Sequence, residues 1–399
     1  MKTAWRVFAF LLVLAAPLML LSSAPAAKKT GAHGQYLAYV GTYTTKTNSK
    51  GIYSFHFNAE TGEINVIGLA VETRDPSWVA VHPGGKYLFA ANEAGKASMV
   101  SAFAIDAKSG KLAPLNQLPA LGEDPCYLSF DKTGKYIFVA NYTSGNVVVF
   151  PIGADGKLGA ATANVHDEGK LGPNKERQEG PHAHWIEPAI DDRSVYVADL
   201  GLDRVLRYGF HATNGTLSTA PVQSNWSHSV LDLSAKLPPG TGPRHVAFSS
   251  DGIRMYVLGE LHSTVTAFHM VGTDDFVHTS FQKISALPKG FSGRNDAAEI
   301  ALHPSGKFLY ASNRGADTIA VFTVEPRRGA LILAGNVPTG GKEPRHFAID
   351  PSGNYLLAEN QLSGNITVFK INLSTGDLTP TGRVVEVPSP VDMTFVATE

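Results

Sequence analysis

The sequence predicts an all-β fold: a seven-bladed β-propeller whose blades are four-stranded antiparallel sheets. Three observations point to it. A unit of three strand-length apolar runs recurs along the chain, its period is that of one blade, and the two incomplete ends together make one further copy.

The unit is clearest from Glu343 to Phe369, EPRHFAIDPSGNYLLAENQLSGNITVF. Three runs rich in residues that suit a pleated sheet are separated by a Pro-Ser-Gly turn and a polar loop. Matching units start at Asp75, Asp124, Gly180, Gly242 and Asp296. Aligned on Pro76, Pro125, Pro181, Pro243, Ala297, Pro344 and Pro390, successive copies lie 49, 56, 62, 54, 47 and 46 residues apart. Surface loops absorb that variation around a constant core. Turns such as AETGEI, AKSGKL, TNGTL and LSTGDL lead from each third run into a fourth, outer strand.

The seventh blade comes from both ends of the chain. Tyr36 to Gly68 carries a second, third and fourth strand without a first, and Ser389 to Val396, SPVDMTFV, is a first strand without a blade. Joined, they close the ring and leave no open sheet edge.

Residues 1–27 read as a signal peptide outside the fold. Lys2 and Arg6 precede the apolar run Val7 to Leu21, and Ala24-Pro25-Ala26 offers small residues for cleavage. The run is too short for a confident membrane span. The expectation is an exported protein, periplasmic or secreted and free of the membrane after cleavage, with residues 28–399 forming one propeller domain of about 53 residues per blade.

With 34 basic against 35 acidic residues, no overall field favours nucleic acid. The single cysteine, Cys126, excludes an internal disulfide and any paired-cysteine metal or redox motif, and reads as a small buried residue. GFSGR at Gly290 to Arg294 lacks the last glycine of a serine-nucleophile elbow, and there is no dinucleotide, P-loop or zinc-protease motif. No cofactor is expected.

In an antiparallel meander the starts of the first strands and the ends of the second strands share one rim. That rim holds His182, His184, Arg244, His245, Glu299, Arg345 and His346 at first-strand starts, with Glu260, Arg314, Glu359 and recurrent asparagines at second-strand ends. Arg, Glu and His gathered at an axial mouth suit a small polar or anionic ligand and proton transfer. His182 and His184, two apart in a strand, would face one way and could suit a metal, but no third ligand is identifiable, so no metal is expected. Each charged residue also has a plainer explanation as an ion pair lining a polar channel. The recurrent Asn92, Asn141, Asn313 and Asn360 read as structural, and Asp199 and Asp203 as anchors of the DLGLDRV turn.

RQEGPHAH, DLGLDRV, GPRHVAF, GELHSTVTAF, AEIALHPSGKFLYASNRG and PRHFAIDPSGNYLLAEN resemble the seven-bladed propeller lactonases from about Tyr36 to Val396. That family includes the propeller-type 6-phosphogluconolactonase and the 3-carboxy-cis,cis-muconate lactonising enzyme. The resemblance implies a lactonase acting on a sugar-acid type lactone, anionic or polyhydroxylated. It assigns catalysis to Glu260, Glu299, His184 and Arg244, and substrate contacts to His182, Arg314, Arg345 and His346. Gly259 stands where the family pattern usually has asparagine. Two other readings stay open: a lactonising cycloisomerase, and a non-enzymatic envelope propeller that binds a ligand or protein on the same rim. Oligomeric state is not legible.

Overall fold

The computed structural model describes residues 34–218, 234–271 and 277–398. It shows seven antiparallel sheets, one for each repeat, so the seven-bladed propeller is the fold of this chain. The expected signal peptide lies outside the described residues. Among those residues, no helix is long and apolar enough to cross a membrane.

The Glu343 repeat forms strands Pro344–Ile349, Tyr355–Asn360 and Asn365–Ile371, with Leu378–Glu386 outermost. Its second strand is buried along its whole length, as is Ser194–Asp199 in another blade, because both faces of a blade pack against its neighbours. Outer strands such as Glu63–Glu72 are mostly in contact with water. Large side chains including Trp185, Tyr256, Tyr310 and Phe322 are fully buried between blades, each contributing about 2 kcal/mol by removal from water.

Ring closure is as expected. Pro390–Ala397 pairs antiparallel with Gln35–Thr42, setting Tyr36 opposite Ala397, Ala38 opposite Phe395 and Gly41 opposite Asp392. That strand is the innermost of its blade.

Two local departures matter. The blade of Ala183–Pro188 has a fifth strand, Ala235–Lys236, pairing with Arg204 and Val205. Its outer strand, Thr216–Ser218, covers only Gly209 to His211, and the extra strand covers the other end. In the same blade Ala183, not Pro181, pairs with Asp199 as Pro125 pairs with Asn141. The alignment on Pro181 is therefore two residues out of step, because the loop before this strand carries its own proline.

Every inner strand also slips register near its start. Ser77, Cys126, His184, Arg244, Arg345 and Val391 are each the extra residue between two paired neighbours, and Ala298 with Glu299 fills the same place in the remaining blade. A bulge of this kind bends the strand and re-aims adjacent side chains. The residue before the strand's proline has positive φ at Asp75 (40°), Asp124 (55°), Glu343 (60°) and Ser389 (51°). Side-chain bonds compensate for this uncommon conformation: the Asp75 carboxylate accepts the Thr44 and Thr45 N–H groups, each at 2.7 Å.

Candidate functional site

The bulges and the loops above them build the site in three tiers. Uppermost is the residue at or just beyond the end of each second strand: Tyr43, Glu93, Tyr142, Leu200, Glu260, Arg314 and Gln361. The backbone N–H of Glu93, Tyr142, Leu200, Glu260 and Gln361 donates to the carbonyl leading into the inner strand, which fixes each loop over the channel. The bulged residues form the middle tier, with Ala298 taking that place in the blade whose bulge spans two residues. Beneath them, by register, come Asp392, Trp78, Tyr127, Trp185, His245, Glu299 and His346.

A small pocket opens among these tiers, lined by Ser77, Trp78, Glu93, Cys126, Arg244, His245, Arg345 and Val391. The Trp78 ring forms its floor, meeting His245 and His346 edge-on at 5.4 Å each. Of the residues expected at the site, Arg244 and Arg345 line this pocket directly. His184 stands behind it, its Nδ1 3.7 Å from the Cys126 Sγ and its ring 5.1 Å from that of His245.

Glu260 is held by three guanidiniums. Its Oε2 lies 3.2 Å from both Arg244 Nε and Arg314 Nη2, and its Oε1 2.5 Å from Arg177 Nη2. Burial would raise its carboxyl, but the charges of Arg314, Arg244 and Arg177 outweigh that and hold it far below the usual carboxylate range. Both oxygens are engaged, so Glu260 is placed as a counter-ion. Arg314 also donates to the Asp296 and Ala297 carbonyls.

Glu299 has the opposite character. Its Oε2 meets His245 Nδ1 at 2.7 Å and His346 Nε2 at 3.7 Å, and burial pushes its carboxyl up to about 7 against the lowering effect of His346 and Arg244. Burial, then the Arg244 charge, keeps the His245 and His184 imidazoles well below their ordinary range and hence neutral. Arg244 Nη1 lies 3.3 Å from His245 Nε2 and donates to the Ala298 carbonyl at 2.5 Å. Burial, Arg314 and Arg345 draw the Arg244 guanidinium down to about 10.

His346 lies beneath the pocket, with Nδ1 2.8 Å from Glu359 and Nε2 3.2 Å from Asp392. Burial raises both acids, Asp392 to about 6. His182 is outside the strand. It stacks on Tyr142 at 4.6 Å, with Nδ1 3.0 Å from the Tyr142 carbonyl and Nε2 3.2 Å from Glu179. The His184 ring also packs on Tyr142, at 5.4 Å, so both histidines meet that side chain although the bulge falls at His184. Among the described residues no three His, Cys, Asp or Glu side chains converge as a metal site.

Arg345 is the exception among the arginines. Its guanidinium lies 5.3 Å from the centre of the Tyr43 ring, and among the described residues it has no ion pair or hydrogen bond. A partly buried cation without an ion pair can take a polar ligand group.

Comparison with known proteins supplies the lineage. The profile of the family described as "Lactonase, 7-bladed beta-propeller" matches residues 37–395. The chain belongs to the seven-bladed β-propeller lactonase family. It is 36% identical over 362 residues to a 6-phosphogluconolactonase of Bacillus subtilis, covering 91% of this chain and 99% of that one. A 6-phosphogluconolactonase of Formosa agariphila is 32% identical over 77% of this chain and 85% of its own. The solved structure of a Pseudomonas aeruginosa periplasmic gluconolactonase superimposes with TM-score 0.80 at 31% identity, covering 92% and 100% of the two chains. As a member of this family the protein is a lactone hydrolase.

Sequence reasoning passed over several residues of this lactonase's site. Arg177 stands in the RQEGPHAH motif with no role assigned from sequence, yet it grips Glu260 and approaches Asp296 at 3.6 Å. Tyr43 and Glu93 occupy the loop position that Glu260 holds in its own blade, so aligning the second-strand ends finds both. Asp392 could be found only by pairing the two ends of the chain. The asparagines and the DLGLDRV aspartates are structural, as expected: Asn313 donates to the Ala286 carbonyl, and Asp199 accepts the Leu202 and His182 N–H groups. Cys126 is buried, and burial pushes its thiol up so that it stays protonated.

Proposed function

We propose that this lactonase hydrolyses a sugar-acid type lactone by direct attack of water in the Arg244–Arg345 pocket. The observation that carries the reading is the juxtaposition, in one buried pocket, of an unpaired guanidinium, Arg345, with an arginine, Arg244, that touches a His245–Glu299 pair. A water proton passes to His245 Nε2 as Nδ1 gives its own to Glu299. The water oxygen bonds to the lactone carbonyl, and Arg244 faces the charge that develops on the carbonyl oxygen. The ring C–O bond then breaks, and the ring oxygen leaves as a hydroxyl group after taking the proton back. Arg345 holds the polar end of the substrate. Glu260 fixes Arg244 and Arg314, and His184 packs against the His245 ring.

A lactone is an activated ester, so a few kcal/mol of electrostatic help gives a useful rate. The relatives named for 6-phosphogluconolactone and gluconolactone hydrolysis support the substrate class. Proton release from a panel of lactones, followed with a pH indicator and corrected for spontaneous opening, tests the reading. Absence of enzyme-dependent acid release from every lactone on the panel removes it.

We also propose export. The basic, apolar and small-residue order of residues 1–27 supports it, as does the periplasmic description of the P. aeruginosa relative. Cell fractionation checks this, and protein found only in the cytosol with residues 1–27 intact contradicts it.

A further inference from the structure

We infer that Glu93 sets the substrate class, selecting a neutral polyhydroxylated lactone over its phosphorylated counterpart; the inference rests on the lactonase reading above. Glu93 lines the pocket together with Arg345 and Arg244. Among the described residues its carboxylate takes one hydrogen bond, from the Tyr43 hydroxyl, 2.7 Å from Oε2. Among the described residues neither Glu93 nor Arg345 has an ion-pair partner, although the Glu93 charge reaches Arg345 and helps to raise its guanidinium above the ordinary range.

A carboxylate accepts hydrogen bonds and cannot donate them, so Glu93 in the pocket lining suits sugar hydroxyls and repels a phosphate. The surrounding arginines do not offset that repulsion. Arg244 is taken by Glu260 at 3.2 Å, and Arg314 and Arg177 share the same carboxylate. A phosphate dianion is best held by a surplus of guanidinium groups. An alternating set of donor and acceptor, Arg345 and Glu93, matches vicinal hydroxyls instead.

Tyr43 ties the two together. Its ring carries Arg345 and its hydroxyl orients Glu93, so one side chain fixes the spacing between donor and acceptor.

The experiment compares kcat/KM for glucono-1,5-lactone and 6-phosphoglucono-1,5-lactone in the wild type, Glu93→Gln and Tyr43→Phe. The wild type is expected to prefer the neutral lactone by about tenfold, and Glu93→Gln to shift that ratio toward the phosphorylated lactone by about tenfold as the repulsion is removed. Tyr43→Phe leaves the charge in place and is expected to raise KM for the neutral lactone while keeping the order of preference. A wild-type preference for the phosphorylated lactone overturns the inference, as does a ratio that Glu93→Gln leaves unchanged. Both results leave lactone hydrolysis standing, whereas failure to consume either lactone removes the parent reading with it.

Discussion

His245 Nδ1 stands 2.7 Å from Glu299 Oε2, joining the inner strands of two adjacent blades beneath the pocket. Burial brings Glu299 up to about 7, so this pair changes protonation near neutrality. Below that pH the carboxyl already carries a proton and cannot accept another. The hydrolytic rate is therefore expected to rise with pH through about 7. Glu299→Gln is expected to lose this limb and to lower kcat about a hundredfold. A Gln variant with the wild-type pH profile excludes Glu299 as the proton acceptor.

Stability runs in the opposite direction over the same window. The folded protein holds the Glu299 proton more tightly than the unfolded chain, whose carboxyl titrates at its ordinary 4.5. The contribution is full below that value and is lost as pH rises to about 7. Urea unfolding of wild type and Glu299→Gln at several pH values checks the sign: the Gln variant should show the smaller fall in stability across the interval.

Glu260 neutralises three arginines at once, so its removal should cost more than one contact. Glu260→Gln leaves Arg244 and Arg314 buried without their shared counter-ion, and a loss of about 3 kcal/mol is expected from the unfolding midpoint. Unchanged stability together with lost activity would instead point to a direct chemical role for Glu260.

Arg345→Ala is expected to raise KM about tenfold with a smaller effect on kcat, because the guanidinium binds a part of the substrate that does not react. Arg345→Lys should restore binding only in part, since an ammonium lacks the planar fork. Steady-state kinetics separate the two parameters, and a fall in kcat at constant KM contradicts the assignment.

Removal of Pro390–Ala397 exposes the edge of Gln35–Thr42 and takes Asp392 from beside His346. A chain ending at Val387 is expected to aggregate, or to melt about 5 °C or more below wild type. Size-exclusion chromatography and thermal unfolding report the outcome, and a monomer with unchanged melting shows that the other blades hold the ring unaided.

Much of this was legible before any coordinates. The repeats located every blade, and the orphan segment SPVDMTFV located the closure. Resemblance to a family pointed to Arg244, Glu260, Glu299, Arg314 and Arg345, all of which gather around one mouth. It could not show that Glu260 is held by three guanidiniums while Glu93 takes the Tyr43 hydroxyl, because both are simply glutamates following a second strand. Nor could spacing reveal that Ala183 is the true counterpart of Pro125, since the loop before Ala183 carries a proline of its own.

The all-β class, the blade number and the split blade can be read along the chain, because they follow from short-range apolar periodicity and turn residues. Which charges pair and which are pushed toward neutrality emerges only on folding. Those properties depend on burial and on side chains brought together across blades, as His245 and Glu299 are. Closing the ring sets such distances, and no local pattern encodes them.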